Sequence, residues 1–361
     1  MTIPKKYKMI GLMSGTSGDG LDITYCKFTK EESWSFQIIK SETTPFPPSL
    51  EESLKLAHRF AGEELAHLDI LFGKWMGQRV RSFCEDNGFS PDAVASHGHT
   101  VFHQPDKGLT LQIGNGWALH HASGLPVIND FRSLDVMLGG QGAPLVPIGD
   151  RLLFGEYDYC LNLGGIANIS METSMGRKAF DVSPFNILLN RFANERGLQY
   201  DDQGKLAEQG ILIPELLEKL ENLPIYHQDK VKSLGREDIE AVYLPLLGRF
   251  KTRPENMLCT LVEHFSRRIS EVVSSYYKGR DTPSTMLVTG GGAYNKYFIQ
   301  QLKISCGDKI LLIIPDHDTV DFKEALIFAF LGVLRWRGEI NCLSTVTGAS
   351  KDSSGGTFYG F

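Results

Sequence analysis

The chain has 361 residues, of which 42% are hydrophobic, and it carries a formal net charge of -6 at pH 7. This length exceeds what one hydrophobic core usually supports, so two lobes of comparable size are expected. The acidic balance comes without a run of Lys or Arg that could follow a phosphate backbone. Nucleic acid and anionic membrane surfaces are therefore excluded as expected partners.

The apolar segments are too short to cross a membrane. Residues 9–13 lead directly into a glycine-rich turn, unlike a signal peptide, and the longest later apolar run, residues 325–334, is about half a membrane span. The six cysteines are scattered without a CxxC pair, which is typical of neither a zinc site nor a disulfide framework. These features predict a cytoplasmic protein with reduced cysteines.

The first segment predicts three antiparallel strands over residues 8–13, 23–28 and 35–40. The turn between the first two strands reads MSGTSGDGLD over residues 13–22. Its glycines let backbone N–H groups approach an anion, and its hydroxyls add donors, so the turn predicts a phosphate-binding loop. An ordinary solvated hairpin uses the same residue types and is the alternative.

The following chain predicts a helix over residues 50–88, a strand over 94–100 and one helix near 117–123. Three histidines, His97, His99 and His103, lie within or just after the strand predicted over 94–100. Alternate residues of a strand share a face, which raises the hypothesis of a metal site. No acidic or cysteine partner lies at a suitable local spacing, and magnesium prefers oxygen ligands, so this hypothesis is disfavoured.

From residue 157 the opening pattern recurs. Strands are predicted over 157–163, 166–171 and 178–182, and Gly164 and Gly165 form the first turn. Further predicted elements are helices over 187–196, 205–222 and 257–277, and a strand over 285–288 that runs into Gly290, Gly291 and Gly292. The repeat predicts two lobes of related topology, each with one phosphate loop. The triple glycine is typical of backbone passing beneath a flat ligand, or of a simple strand-to-helix turn.

Eight runs occur in this order along the chain: GLMSGTSGDGLD, SHGHTVFHQP, DFRSLDVMLGGQGAPLVP, LNLGGIANIS, DVSPFN, KSLGRED, TGGGAYN and KEALIFAFL. Together they resemble the anhydro-N-acetylmuramic acid kinases, within the superfamily of sugar kinases, actin and heat-shock ATPases. The resemblance covers nearly the whole chain. It implies an α/β fold of two lobes with related actin-like (ribonuclease H-like) topology, each a mixed sheet flanked by helices, with an interlobe cleft. The expected lobes are residues 1–150 and 151–361, with the extreme C terminus able to return to the first.

The resemblance also implies a reaction. ATP, water and 1,6-anhydro-N-acetylmuramic acid give ADP and N-acetylmuramic acid 6-phosphate, in the recycling of peptidoglycan, and the expected oligomer is a homodimer. The oxygen at C6 is an ether bridge without a proton, so the catalytic base should face C1 and activate water. The nearest alternative is a conventional sugar kinase of the same fold that acts on a free hydroxyl of a related amino sugar. An actin-like nucleotide switch is a more distant one.

The Asp-x-x-Pro-x-Asn context of the family's base falls on Asp181, which could instead cap the helix that follows. The resemblance assigns the amino sugar to Thr100, Arg132 and Glu324. Two of them have a plain structural alternative: a strand residue for Thr100 and a helix-dipole partner for Glu324. Arg132 would pair with the lactyl carboxylate or contact the ring.

The nucleotide is assigned to three glycine-rich loops. The expected ATP-binding residues are Gly15, Thr16, Ser17, Gly18, Asp19, Gly20, Leu21, Asp22, Asn162, Gly164, Gly165, Asn168, Gly290, Gly291 and Gly292. Asp19 is the predicted ligand of Mg²⁺, through water. Asp22 could equally be a structural partner within its own hairpin.

Several positions depart from the family pattern. Val182-Ser183 and Phe185 replace Thr-Gly and Gly beside the base, His99 replaces Gln, and Leu234 replaces Thr. None of these changes replaces Asp181, Glu324 or Arg132, so the reaction type is expected to survive better than the fine sugar specificity. Phe185 is expected either to narrow the sugar pocket or to be lineage variation compensated elsewhere.

Overall fold

The computed structural model describes residues 4–15, 20–226, 234–235, 238–277, 279 and 282–361. The strands in these residues are β1 (Lys6–Met13), β2 (Leu21–Lys30), β3 (Trp34–Thr44), β4 (Ala93–Ser96), β5 (His99–Gln104), β6 (Leu109–Ile113), β7 (Val127–Asn129), β8 (Tyr159–Leu163), β9 (Ile166–Thr173), β10 (Gly176–Pro184), β11 (Ser284–Thr289), β12 (Ile310–Ile313) and β13 (Thr357–Tyr359). The α-helices are Pro48–Leu56, Gly62–Asn87, Gly116–Ser123, Ser133–Met137, Val146–Leu153, Asn186–Asn194, Lys205–Glu208, Pro214–Glu221, Leu244–Leu247, Pro254–Tyr276, Lys296–Cys306, His317–Trp336 and Ser344–Thr347.

Two mixed sheets of related strand order organise the described residues, the first with six strands and the second with five. In the part that the structure describes, one sheet has the order β13-β7-β4-β1-β2-β3 and the other β10-β9-β8-β11-β12. β1 is antiparallel to β2 and parallel to β4, just as β8 is antiparallel to β9 and parallel to β11. The prediction of an α/β fold with two lobes of related actin-like topology is therefore confirmed.

The chain divides into two compact units. The first contains residues 1–155, 175–177 and 322–361, and the second contains 156–174 and 178–321. The expected boundary lay near residue 150, and the return of the chain to the first unit begins at residue 322, earlier than the extreme C terminus. The reason is packing, because Phe330 lies against Phe28 and Trp34 of the first sheet.

Strand direction decides where the functional loops lie. β1, β4 and β7 run parallel, so the loops that follow them emerge at one edge of the first sheet. In the second sheet β8 and β11 are also parallel and end at a common edge. Ligands of open α/β sheets bind at such carboxyl edges.

The helix His317–Trp336 lies against β1 because Gly11 has no side chain. A Cβ atom at Gly11 would lie 1.9 Å from the carbonyl oxygen of Ala325, a distance that no other residue could tolerate. This close approach places Glu324 beside the carboxyl end of β1. The core of the first unit also contains Phe72 and Met76 from the helix Gly62–Asn87.

Three predicted elements are interrupted. The helix predicted over residues 50–88 is two helices, because the chain is extended at Phe60 between them. The strand predicted over 94–100 breaks at Gly98, whose φ is +75°. The helix predicted over 205–222 breaks near Gly210, where a Cβ would lie 2.1 Å from the carbonyl oxygen of Glu255.

No helix in the described ranges is both long and apolar enough to cross a membrane. All six cysteines lie in these ranges, and none of them forms a disulfide bond. Five of them are buried, which agrees with a structural role in the two cores.

Candidate active site

Three loops meet at the carboxyl edge of the first sheet. They begin at Ser14 after β1, at His97 after β4 and at Asp130 after β7. The N–H of His97 donates to the carbonyl oxygen of Leu12 at 3.1 Å, and the Ser14 hydroxyl is hydrogen-bonded to Nδ1 of His99 at 3.0 Å. The start of the glycine turn is thereby fixed to the loop after β4.

Arg132 is held on two sides. Its Nε and Nη2 donate to Nε2 of His97 at 3.0 and 2.8 Å, and its Nη1 donates to the carbonyl oxygen of Gly142 at 2.6 Å. These bonds use the Nε hydrogen and one hydrogen of each terminal nitrogen. Each terminal nitrogen therefore keeps a second hydrogen for a ligand, an arrangement suited to the two oxygens of a carboxylate.

His97 accepts from Arg132 only as a neutral ring. Its Nδ1 lies 2.9 Å from the carbonyl oxygen of Gly98 and must carry the proton. Burial holds the pKa of His97 well below its usual range, and the positive charge of Arg132 acts in the same direction. The imidazole is thus a fixed acceptor for the guanidinium.

Glu324 lies within electrostatic reach of both Arg132 and Asp22. Burial lowers the pKa of Arg132 to about 10, and the carboxylate of Glu324 opposes that shift. Burial also raises the pKa of Glu324, which Arg132 lowers and Asp22 raises further. The structure therefore brings together two of the three predicted sugar-binding residues, with a second carboxylate beside them.

Thr100 lies on the hairpin formed by β5 and β6. Nε2 of Gln112 donates to Oγ1 of Thr100 at 3.3 Å and to Oγ1 of Thr110 at 2.9 Å. Because the oxygen of Thr100 accepts from Gln112, its own hydroxyl proton is directed elsewhere and can be donated to a ligand. Nδ1 of His103 lies 3.1 Å from Oγ1 of Thr110 and extends this polar row.

The three histidines of this region face separate partners. His97 contacts Arg132, His99 contacts Ser14 and His103 contacts Thr110. In the residues that the structure describes, no group of three or more His, Cys, Asp or Glu is arranged to hold a metal ion.

The glycine turn of the first unit is described at both ends. Gly15 and Gly20 are among the described residues, whereas the predicted ligands Thr16, Ser17, Gly18 and Asp19 lie outside them. Leu21 is fully buried, so only its backbone can face a nucleotide. Oδ1 of Asp22 accepts from Oγ1 of Thr43 at 2.6 Å across β2 and β3, which is the structural role that was the alternative for this residue.

The second unit also has a glycine turn between its first two strands, β8 and β9, and amide side chains flank it. Asn162 and Asn168 are directly opposed across β8 and β9. The turn between them receives the helix Asn186–Asn194, because the N–H of Asn186 donates to the carbonyl oxygen of Gly164 at 3.2 Å and that of Phe185 to Gly165 at 2.8 Å. The predicted residues of this loop are thus gathered at one edge of the sheet.

The triple glycine lies next to that loop. A Cβ at Gly290, whose φ is +80°, would lie 2.6 Å from Oδ1 of Asn162. A Cβ at Gly292 would lie 2.3 Å from Cε1 of Phe185, whereas a Cβ at Gly291 would meet no atom within 4 Å. Gly290 and Gly292 therefore serve close packing, and Gly291 faces open space.

Asp181 lies near the end of β10. Its Oδ2 accepts from the N–H of Leu234 at 2.8 Å. Burial raises the pKa of Asp181 to about 6, and the Leu234 N–H partly opposes this by stabilising the charged form. No side chain caps the helix Asn186–Asn194, so the helix-capping alternative for Asp181 is wrong.

Phe185 belongs to the core of the second unit. It has 0% exposure, and its ring packs against Phe298 at 4.6 Å and Phe265 at 5.6 Å between centroids. The prediction that Phe185 narrows the sugar pocket is therefore wrong. Its ring also packs against Gly292 of the triple glycine.

Sequence reasoning missed three contributors. His97 was considered only as a metal ligand, and Gly142 and Asn186 were given no role. Nδ2 of Asn186 donates to the carbonyl oxygen of Leu163 at 3.1 Å and fastens the turn that follows β8. Only the Asp-x-x-Pro-x-Asn context pointed to Asn186, whereas no local signal connects His97 with a residue 35 positions later.

Two units that each place a glycine turn between the first two strands of a mixed sheet have the topology expected of the sugar kinases and actin-like ATPases. The sequence profile of the anhydro-N-acetylmuramic acid kinase family matches residues 7–360. The chain belongs to this family.

Individual relatives agree with this assignment. The anhydro-N-acetylmuramic acid kinase of Nitrosomonas europaea is 33% identical over 364 aligned residues, which cover 97% of this chain and 99% of that protein. The enzyme of the same name from Pseudomonas putida is 35% identical over 309 residues, 81% of this chain and 82% of that protein. Solved structures are more distant: the ADPNP-bound activator of the 2-hydroxyisocaproyl-CoA dehydratase from Clostridium difficile aligns with a TM-score of 0.44 at 12% identity, over 91% of this chain and 97% of that one.

Proposed function

We propose that this protein is an ATP-dependent kinase that opens 1,6-anhydro-N-acetylmuramic acid with water and phosphorylates O6. The products are N-acetylmuramic acid 6-phosphate and ADP, and the role is the recycling of peptidoglycan sugars. The observation that carries the proposal is the family match over residues 7–360. The chemistry of the residues described above supports it.

The sugar is assigned to the first unit. The second hydrogens of Nη1 and Nη2 of Arg132 would pair with the lactyl carboxylate of muramic acid in a bidentate bond. Thr100, which accepts from Gln112, would donate its hydroxyl proton to the sugar. Glu324, with its pKa raised by burial, would accept from a sugar hydroxyl or amide.

Asp181 is assigned as the general base. A carboxylate with a pKa of about 6 is mostly ionised near neutral pH and is more basic than an ordinary aspartate. It would take a proton from water as the water oxygen attacks C1. The C1–O6 bond then breaks, O6 keeps the electron pair and forms a bond to the γ-phosphorus, and ADP leaves.

The nucleotide is assigned to the glycine turn of residues 15–22, to the turn at Asn162–Asn168 and to the triple glycine. The two turns would hold phosphates through backbone N–H groups, and the adenosine would lie over Gly291, which faces open space. Magnesium usually takes one or two carboxylates together with phosphate oxygens and water. The first turn carries two such carboxylates, Asp19 and Asp22. Because Oδ1 of Asp22 accepts from Thr43, Asp19 is the proposed residue that binds Mg²⁺ through water. When bound, Mg²⁺ would offset the charge of the phosphates.

The proposal includes a cytoplasmic location and a homodimer. The location rests on the short apolar segments of the sequence and on a cysteine spacing that is not typical of a disulfide framework, and the dimer rests on the family resemblance. Light scattering of the purified protein measures the oligomer directly.

The test is ATP turnover with three sugars side by side: 1,6-anhydro-N-acetylmuramic acid, N-acetylmuramic acid and N-acetylglucosamine. The proposal expects ADP release that depends on the anhydro sugar. Equal or faster turnover with the two sugars that carry a free C6 hydroxyl would favour a conventional sugar kinase. Rapid ATP hydrolysis without any sugar, accompanied by polymerisation, would favour a nucleotide switch.

A further inference from the structure

A buried carboxylate lies behind the loop that contacts Arg132. Asp135, in the short helix Ser133–Met137, is 1% exposed. Its Oδ2 accepts from the N–H of Gly142 at 2.7 Å. Its Oδ1 accepts from Oγ1 of Thr347 at 2.8 Å and from Sγ of Cys342 at 3.1 Å. The two oxygens therefore hold two different segments of the chain.

Gly142 connects this carboxylate with Arg132. Its N–H donates to Asp135, and its carbonyl oxygen accepts from Nη1 of Arg132 at 2.6 Å. The residue has a φ of +66°, and a Cβ there would lie 2.7 Å from Cγ2 of Val136. Only glycine fits this conformation at this distance, so the direction of the carbonyl is fixed by the bond to Asp135 and by the packing.

We infer that Asp135 is a positioning residue that fixes the orientation of the Arg132 guanidinium through Gly142. Hydrogen bonds to a carboxylate are stronger than those between neutral groups, so Oδ2 is a firm anchor for the loop. Without it, the carbonyl of Gly142 can turn away and Arg132 keeps only its bonds to His97 on one edge. The second hydrogen of Nη1 would then no longer point reproducibly at a ligand.

A merely structural role predicts a different result. Asp135 also binds Thr347 and Cys342, so its loss could simply loosen the segment near the C terminus. Thr347→Val is the matched control, because it removes a bond to Oδ1 from an equally buried position and leaves the bond from Gly142 to Oδ2 intact. Asp135→Asn is the conservative variant, because its amide oxygen can still accept from Gly142.

The effect on turnover rests on the proposed function, in which Arg132 binds the sugar. The KM values for the anhydro sugar and for ATP are measured for Asp135→Ala, Asp135→Asn and Thr347→Val at a temperature where all three are folded. Asp135→Ala is expected to raise the KM for the sugar about tenfold or more with the KM for ATP within about twofold, as for a displaced binding group. Thr347→Val and Asp135→Asn are expected to remain close to wild type. An unchanged sugar KM in Asp135→Ala, or a parallel rise of both KM values, would overturn the inference.

A readout without turnover separates this inference from the proposed function. If the wild-type protein does not use the anhydro sugar, the proposed function fails, and hydrogen exchange at the amide of Gly142 still answers the question about Asp135. Faster exchange in Asp135→Ala than in Thr347→Val supports the inference that Asp135 fixes Gly142 and, through it, Arg132. Equal exchange in the two variants, with a crystal structure of Asp135→Ala that retains the bond from Arg132 to Gly142, would overturn it.

Discussion

Nε2 of His97 accepts two hydrogen bonds from one guanidinium, at 3.0 Å from Nε and 2.8 Å from Nη2 of Arg132. Such a bond pair requires a neutral imidazole, and burial together with the neighbouring positive charge lowers the pKa of His97 accordingly. The histidine thus serves as the fixed acceptor against which the guanidinium of Arg132, the proposed sugar-binding arginine, is aligned.

Replacing His97 with Phe removes the acceptor but keeps a ring that can pack against Phe328, which lies 4.7 Å from the imidazole between centroids. The KM for the anhydro sugar is expected to rise about tenfold, because a misplaced binding group costs affinity even when it remains present. The KM for ATP, measured in the same variant, is the internal control. A normal sugar KM in a folded His97→Phe protein would show that Arg132 does not need this partner.

Asp181→Asn is expected to lower kcat by at least about 100-fold, the usual size of a general-base effect. Folding and ATP binding should be preserved, because the amide can still accept from Leu234. Asp158→Asn is the matched control, since that carboxylate also accepts one backbone N–H, from Thr285 at 3.0 Å, at the opposite end of the same sheet. Near-normal turnover in Asp181→Asn would remove Asp181 from the role of base.

The pH dependence of kcat follows from the same residue. The base acts in its ionised form, and burial places the pKa of Asp181 at about 6. Turnover should therefore fall as pH is lowered through about 6 and level off above about pH 7. A rate profile that stays flat down to about pH 5 would contradict the assignment.

The stability of the Asp181→Asn variant has a defined sign. The pKa of Asp181 is raised from 3.8 to about 6 on folding, so the folded state retains a proton that the unfolded state has lost in this window. Wild-type stability therefore falls as pH rises through the window, and the variant escapes that loss. In urea unfolding, Asp181→Asn should be more stable than wild type by about 3 kcal/mol at pH 8 and nearly equal to it near pH 4. A constant difference at both pH values would show that the pKa is not shifted.

Gly291 and Gly292 are adjacent but face different surroundings. Gly292→Ala should lower the free energy of unfolding by about 1–3 kcal/mol, because its Cβ overlaps Phe185. Gly291→Ala should fold like wild type, since no atom lies within 4 Å of the new Cβ. If adenosine lies over Gly291, that variant raises the KM for ATP without a loss of stability. An unchanged KM for ATP would show that the adenosine does not lie over Gly291.

The pattern of glycine turns and short strands predicted the fold well. Each turn lies between two strands of a meander, and that local pattern predicts the order of the first three strands of each sheet. Local propensity failed where tertiary contacts decide. The long helix predicted over residues 50–88 breaks at Phe60, and the one over 205–222 breaks where Gly210 must approach Glu255.

The candidate site was only partly predictable. Recognisable sequence runs contain Asp181, Arg132 and Glu324. The hydrogen-bond partners of Asp181 and Arg132, however, come from distant segments. The contacts run from His97 to Arg132, from Arg132 to Gly142 and from Gly142 to Asp135. They depend on the parallel order of strands and on a glycine at φ +66°, neither of which a single sequence displays. Phe185 shows the opposite case. An aromatic residue beside the predicted catalytic motif suggested a pocket wall as one of two alternatives, but its side chain is fully buried in the core of the second unit.

The most direct test of the account is turnover of 1,6-anhydro-N-acetylmuramic acid and ATP in ¹⁸O-labelled water, with the position of the label in the sugar phosphate determined by mass spectrometry and NMR. Attack of water on C1 predicts label on the C1 hydroxyl and unlabelled oxygen between C6 and phosphorus. A phosphorylated product without label at C1, formed without opening of the anhydro ring, would contradict it.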